Sequence, residues 1–254
     1  MLVTAKELKG YRLRSLDGEI GKVEEFYFDD THWAVRYIVA ETGNWLKGRE
    51  VLISPYALKG VDKAKKDVPI QLTRKQIEES PPLESHKPVS RQFEESYHGY
   101  YGFPAYWGGP NMWGSYAYIP REPKLDAAAA AVAKDAWDPH LRSTAEVSGY
   151  HVQATDGAIG HVKDFIIDDT NWAIRYLVVD ASAGKKVLVS PRWIKRVSWD
   201  DRKVFVTLTQ DSVKTSPEYT EESLPTREYE TSLHGHYNQQ GYWVEKPAVV
   251  VRSR

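Results

Sequence analysis

The sequence predicts a mainly β protein built from two tandem six-stranded barrels, related by internal duplication and joined by a partly helical linker. Three observations carry that expectation. Residues 15–40 and 154–179 share 14 identities over 26 aligned positions, and self-similarity at a fixed offset marks a repeated structural unit. Each copy alternates runs rich in Val, Ile, Tyr and Trp with Gly, Asp and Pro turns, the pattern of short strands. Six such runs per copy are too many for a flat sheet with two free edges, so closure is the economical arrangement.

Taken in order, Thr4 with Glu7 and Ser143 with Glu146 predict capping boxes on short helical turns, which Gly10 and Gly149 can end. Residues 11–15 read as a strand, Asp17–Gly18 as a hairpin signal and residues 19–28 as the return strand. Gly21 and Gly160 fall inside that strand, where glycine marks a bulge or a tight bend. If residues 29–32 form a four-residue loop, Phe28 faces Trp33, Phe26 faces Val35 and Glu25 faces Arg36. The second copy then sets Asp164 opposite Arg175, and such cross-strand charge pairs contribute about 0.2–1 kcal/mol. Trp33, Val35, Tyr37 and Val39 would share one apolar face, with Arg36 on the other.

The two copies align at an offset of 139 up to the segment 42–48, where the second is three residues shorter, and at 136 beyond it. Length differences collect in surface loops, so residues 42–48 are expected to be an exposed hairpin connection. Further strands are expected at 51–54, 56–62 and 68–72, matched by 187–190, 193–198 and 203–208. A last helical turn spans 73–80, with a Thr73/Gln76 capping box. Aromatic tails follow each copy, so that Arg91, Phe93, His98, Tyr101 and Trp107 correspond to Arg227, Tyr229, His234, Tyr237 and Trp243. The expected units are 1–107, a Gly/aromatic and Ala-rich linker at 108–140 with a helix at 125–136, and 141–254.

The bulk numbers exclude more than they assign. The chain has 254 residues, 41% of them hydrophobic and 27% charged, with 34 Lys+Arg against 35 Asp+Glu. Residues 1–119 hold 16 of each sign, leaving 34 − 16 = 18 basic and 35 − 16 = 19 acidic residues for the remainder. Neither half has the basic excess of a nucleic-acid binder, which gains affinity by releasing counterions. The absence of cysteine removes disulfides, thiolate chemistry and Cys-based zinc sites. No apolar run reaches the ~18 residues of a membrane span, and the first residues lack a signal-peptide pattern, so the expected address is the cytoplasm.

The motif Asp-Gly-x-Ile-Gly-x-Val at 17–23 and 156–162, then Asp-Asp-Thr, Trp-Ala-x-Arg-Tyr and a Val-Leu-(Ile/Val)-Ser-Pro strand, resembles the PRC-barrel family. The likeness covers residues 2 to about 80 and 141 to about 216. That fold occurs in the cytoplasmic domain of the photosynthetic reaction centre H subunit, in the C-terminal domain of the ribosome maturation factor, and in free-standing bacterial and archaeal proteins. The reaction centre subunit has a membrane helix that this chain lacks, and the maturation factor has one such barrel, not two. The resemblance therefore implies a small β-barrel adaptor on a larger protein assembly, without naming the partner.

No residues converge into a catalytic or cofactor-binding motif. Asp29–Asp30 and Asp168–Asp169 read as turn residues capping their own backbone. Ser54 and Ser190 precede Pro with no base beside them. His234 and His236, two residues apart, could present two imidazoles on one strand face, but a metal site wants three or four ligands and Tyr100 replaces the second His in the first copy. His98, Tyr101, Trp107, His234, Tyr237 and Trp243 are the candidate residues, either packing the tails onto the barrels or anchoring a partner, because Trp and Tyr dominate interface energetics. The expected function is a non-catalytic interaction module without cofactor or metal, acting on unidentified protein partners or on a second copy of itself. Two competing readings are a ligand or enzyme site between the barrels, and a membrane-peripheral partner of an electron-transfer complex.

Overall fold

The computed structural model describes residues 1–46, 49–81, 89, 91–104, 141–181, 184–221 and 224–244. The first half contains β1 (Leu2–Thr4), α1 (Ala5–Leu8), β2 (Arg12–Ser15), β3 (Gly18–Asp29), β4 (Ala34–Glu41), β5 (Glu50–Ile53), β6 (Asp67–Pro69), α2 (Arg74–Glu78) and α3 (Arg91–Tyr101). The second contains β7 (Leu141–Ser143), α4 (Thr144–Val147), β8 (His151–Gln153), β9 (Ala158–Asp168), β10 (Ala173–Ala181), β11 (Lys186–Val189), β12 (Ile194–Ser198), β13 (Lys203–Val206), α5 (Gln210–Lys214) and α6 (Arg227–His236). The chain is mainly β, as expected, with a large mixed sheet and few helices. The expected linker helix at 125–136 and Trp107 lie outside the described residues.

The local signals act as their chemistry suggests. Thr4 and Ser143 accept from the backbone N–H of Glu7 and Glu146, but those two carboxylates do not complete the boxes. Each instead accepts a tyrosine hydroxyl one turn on, from Tyr11 at 3.2 Å and Tyr150 at 3.1 Å. The Thr73/Gln76 box is complete. The strand glycine Gly21 (φ 141°) marks a close approach: a Cβ there would overlap the carbonyl oxygen of Glu41, and one at Gly160 would overlap that of Asp180.

The expectation that each barrel closes on its own strands is overturned. β1 pairs antiparallel with β9 of the other half, Val3 opposite Ile167, while β7 pairs with β3, Arg142 opposite Phe28. The two opening strands are thus exchanged. Between them β4 meets β10 at Ala34 and Ala173, which joins both halves into one thirteen-stranded sheet. The backbone seals this crossing reciprocally. Val35 N donates to Trp172 O at 2.8 Å, and Ile174 N donates to Trp33 O at 2.7 Å. Trp33 and Trp172 sit at φ 55° and 57°, a left-handed conformation that costs a non-glycine residue about 1–2 kcal/mol. Phe28, stacked on Trp33 and 5.7 Å from Phe165, belongs to a hydrophobic core that runs across both halves.

The predicted register of the central hairpin is also corrected. Asp29 is the last residue of β3, opposite Ala34, and Trp33 N–H donates to its carbonyl, so the loop is 30–33. A bulge follows: Phe28 faces Val35 and Tyr27 faces Tyr37, which leaves Arg36 as the extra residue, and Arg175 is extra in the same way. An extra residue reverses the alternation of faces beyond it. Val35, Ile38 and Ala40 therefore point into the main core, whereas Tyr37 and Val39 turn to a second cluster with Tyr97.

Candidate functional site

The surface of β4 that carries Tyr37 would be solvent-exposed if the first tail were an extended segment. It is instead covered by α3. On that helix Glu94, Tyr97, His98 and Tyr101 recur at three- and four-residue spacing, which lines them along one face. Tyr37 Oη donates to Glu94 Oε1 at 3.0 Å and lies 3.2 Å from His98 Nε2. Tyr97 Oη donates to Leu52 O and accepts from Ser54 N–H, fastening the helix to the end of β5. His98 Nδ1 lies 3.0 Å from the Pro104 carbonyl.

The second half builds the same arrangement from α6. Tyr176 Oη donates to Glu230 Oε1 at 2.9 Å and therefore accepts from His234 Nε2 at 3.1 Å, which assigns the imidazole proton to Nε2. Burial and the Glu230 carboxylate hold the Tyr176 phenol protonated, far above its ordinary range. Burial, with the positive charges of Arg192 and Arg227, pushes the His234 imidazole down to about 4. Trp193 and Trp243 pack against that ring at 5.2 and 5.1 Å. Arg175 lies 4.1 Å above Tyr242, and Arg227 4.1 Å above Trp243.

A folded pKa near 4 against about 6.5 for an unfolded histidine means that the unfolded chain binds the extra proton between those values. Stability is then complete above pH 6.5 and falls as pH drops towards 4. Chemical denaturation at pH 7 and pH 4.5 should show the wild type losing about 2 kcal/mol more than His234→Gln. Equal losses in the two proteins would contradict a neutral buried imidazole.

The remaining predicted residues fall into place around these clusters. His234 and His236 lie on a helix, where residues two apart diverge, so the two imidazoles do not share a strand face; His236 Nε2 instead meets Ser212 O at 2.7 Å. Tyr101 stacks on Phe103, and Tyr237 lies 4.7 Å from Trp193. Ser54 and Ser190 cap short helical turns. Neither predicted acid meets its arginine. Arg36 Nη2 reaches Asp29 Oδ2 at 2.5 Å, and Arg175 Nη2 reaches Asp168 Oδ2 at 2.8 Å, because the bulge turns each guanidinium back to the loop. Burial raises the Asp29 carboxyl, but Arg36 and His32 outweigh it and hold the group well below the carboxylate range. Asp29 Oδ1 also accepts from the N–H groups of Thr31 and His32.

Glu25 and Asp164 serve the exchanged strands instead. Glu25 Oε2 accepts from Ser143 Oγ at the end of β7, and Asp164 Oδ1 accepts from Lys6 N at 3.1 Å just past β1. Burial raises both carboxyls above their ordinary values. A cavity of about 290 Å³ opens beside this junction, lined by Thr4 and Lys6 from one half and by Asp164, Tyr219 and Glu221 from the other.

Sequence reasoning missed Tyr37, Glu94 and Tyr97 with their counterparts Tyr176 and Glu230. The signal was available as the helical spacing of Glu94, Tyr97, His98 and Tyr101. Residues 2–77 match the family model described as the PRC-barrel domain. No curated protein matches the chain.

Proposed function

We propose that this chain, whose residues 2–77 match the PRC-barrel domain model, is a non-catalytic interaction module made of two halves descended from one unit by duplication and joined through their exchanged opening strands. It docks on a larger protein assembly. The observation that supports this is the fate of the polar groups best suited to chemistry. Glu94, His98, Glu230 and His234 are each 3% exposed or less, and both histidines bond a buried tyrosine. Groups so placed fasten helices to sheets and cannot touch a substrate. Among the described residues no cluster of three or more His, Cys, Asp or Glu is placed to hold a metal ion, and no helix is long and apolar enough to cross a membrane.

Crosslinking with mass spectrometry in the native host should yield reproducible intermolecular links from this chain to another protein. Links confined to the chain itself would overturn the adaptor reading. A small-molecule function is favoured by one separate observation, the 290 Å³ cavity at the exchanged strands; a well-ordered ligand there in a crystal structure would support it.

A further inference from the structure

The two halves differ at one place in a way that their shared ancestry makes interpretable. In the first half the loop after β4 carries Trp45 and Leu46, both half-buried and packed against the core, and the Arg74 guanidinium lies 4.8 Å above the Trp45 ring. The exposed connection expected for residues 42–48 is therefore partly a filled slot. In the second half the loop is three residues shorter, and its sequence contains neither tryptophan nor leucine.

The surroundings of the slot are otherwise kept. Arg49 donates to the carbonyls of Glu78 and Ser80, and its counterpart Lys185 donates to those of Lys214 and Ser216. Arg74 N–H donates to Asp17, and its counterpart Gln210 N–H donates to Asp156. The second half accordingly holds a cavity of about 260 Å³, with Ala158, Ile159, Ala181 and Val213 as its apolar wall and Gln210 beside them. Lys185 and Lys214 also line it, and among the described residues no carboxylate does.

We propose that this cavity is a binding slot for a tryptophan side chain presented by a partner protein, with acidic residues flanking it. The occupant's chemistry is read from the chain itself, since the equivalent space is filled by Trp45 and Leu46. The acidic flanks follow from the two lysines at the rim, whose charge draws carboxylates. An indole ring suits a slot of this size, being a large apolar body with one polar edge. This inference rests on the adaptor reading and gives it a contact point.

The test is titration of the full chain with a blocked peptide carrying Glu-Gly-Asn-Trp-Leu-Glu, followed by methyl NMR. The methyl groups of Ile159 and Val213 should shift, and Ala158→Phe, which fills the slot, should abolish those shifts while leaving the fold intact by circular dichroism. Gln210→Arg restores the cation that overlies Trp45 and should tighten binding about two- to five-fold. Peptide shifts that avoid Ile159 and Val213, or that survive in Ala158→Phe, overturn the slot. Partner crosslinks found elsewhere would then leave the adaptor reading standing, whereas a bound peptide without any native partner would sink that reading alone.

Discussion

Residues 141–254 produced without residues 1–140 will not persist as a folded monomer; they will form a homodimer by exchanging β7. In the intact chain the edge of β9 is covered by β1, with Leu2 opposite Asp168 and Thr4 opposite Ile166. Removing β1 and α1 uncovers this edge and takes away Val3, Ala5 and Leu8, all core residues. β7 is left equally without its partner β3. Its register on β3, with Leu141 opposite Asp29 and Ser143 opposite Tyr27, is the register of β1 on β9 shifted by the repeat offset. A second fragment can therefore supply what the first half supplied, and exchange of an identical element is a low-cost route to dimers. Light scattering after size exclusion should give the dimer mass, and the melting temperature should rise with protein concentration. A monomer with cooperative unfolding independent of concentration would refute the shared core.

Arg36→Met should cost about 3–5 kcal/mol, because it leaves the Asp29 carboxylate without the cation beside it. Arg36 is 1% exposed and Asp29 8%, so water cannot take over the role of the guanidinium. The double variant Arg36→Met/Asp29→Asn should recover part of the loss, since no unpaired charge then remains. The pH dependence has a definite sign. Asp29 titrates below its unfolded value, so the pair's stabilisation is present above about pH 4 and is lost as pH falls further. The gap between wild type and Arg36→Met must therefore narrow in acid. Urea melts that place Arg36→Met within 1 kcal/mol of wild type at pH 7 would show the ion pair to be dispensable.

What could be read from the residues alone divides along the range of the interactions involved. Hairpin signals, the stop at Gly10 and the Thr73 box depend on neighbours in sequence, and they stand in the structure much as expected. The hairpin register failed because a single bulge residue, Arg36, shifts the pairing, and a bulge leaves alternation on either side intact. The strand exchange was illegible for another reason. β1 and β7 have nearly the same registers, so either could cover either edge, and only the three-dimensional path of the chain decides. The candidate residues His98 and His234 were found from their repetition, but their partners Tyr37 and Tyr176 sit on distant strands, whose orientation the unseen bulge had inverted. Both histidines sit on the inner faces of α3 and α6, buried against the sheet, which is consistent with the tail-packing alternative for these residues.

The exchange of opening strands also sets a timetable for synthesis. β3 ends at Asp29, whereas the strand that covers it ends at Ser143, more than a hundred residues later on the ribosome. At about 5–20 residues per second, the nascent first half waits on the order of ten seconds with a bare edge, the kind that recruits strands from neighbouring chains. Crowded polysomes would join the wrong copies first, so the yield of correctly assembled protein should depend on how densely its message is translated.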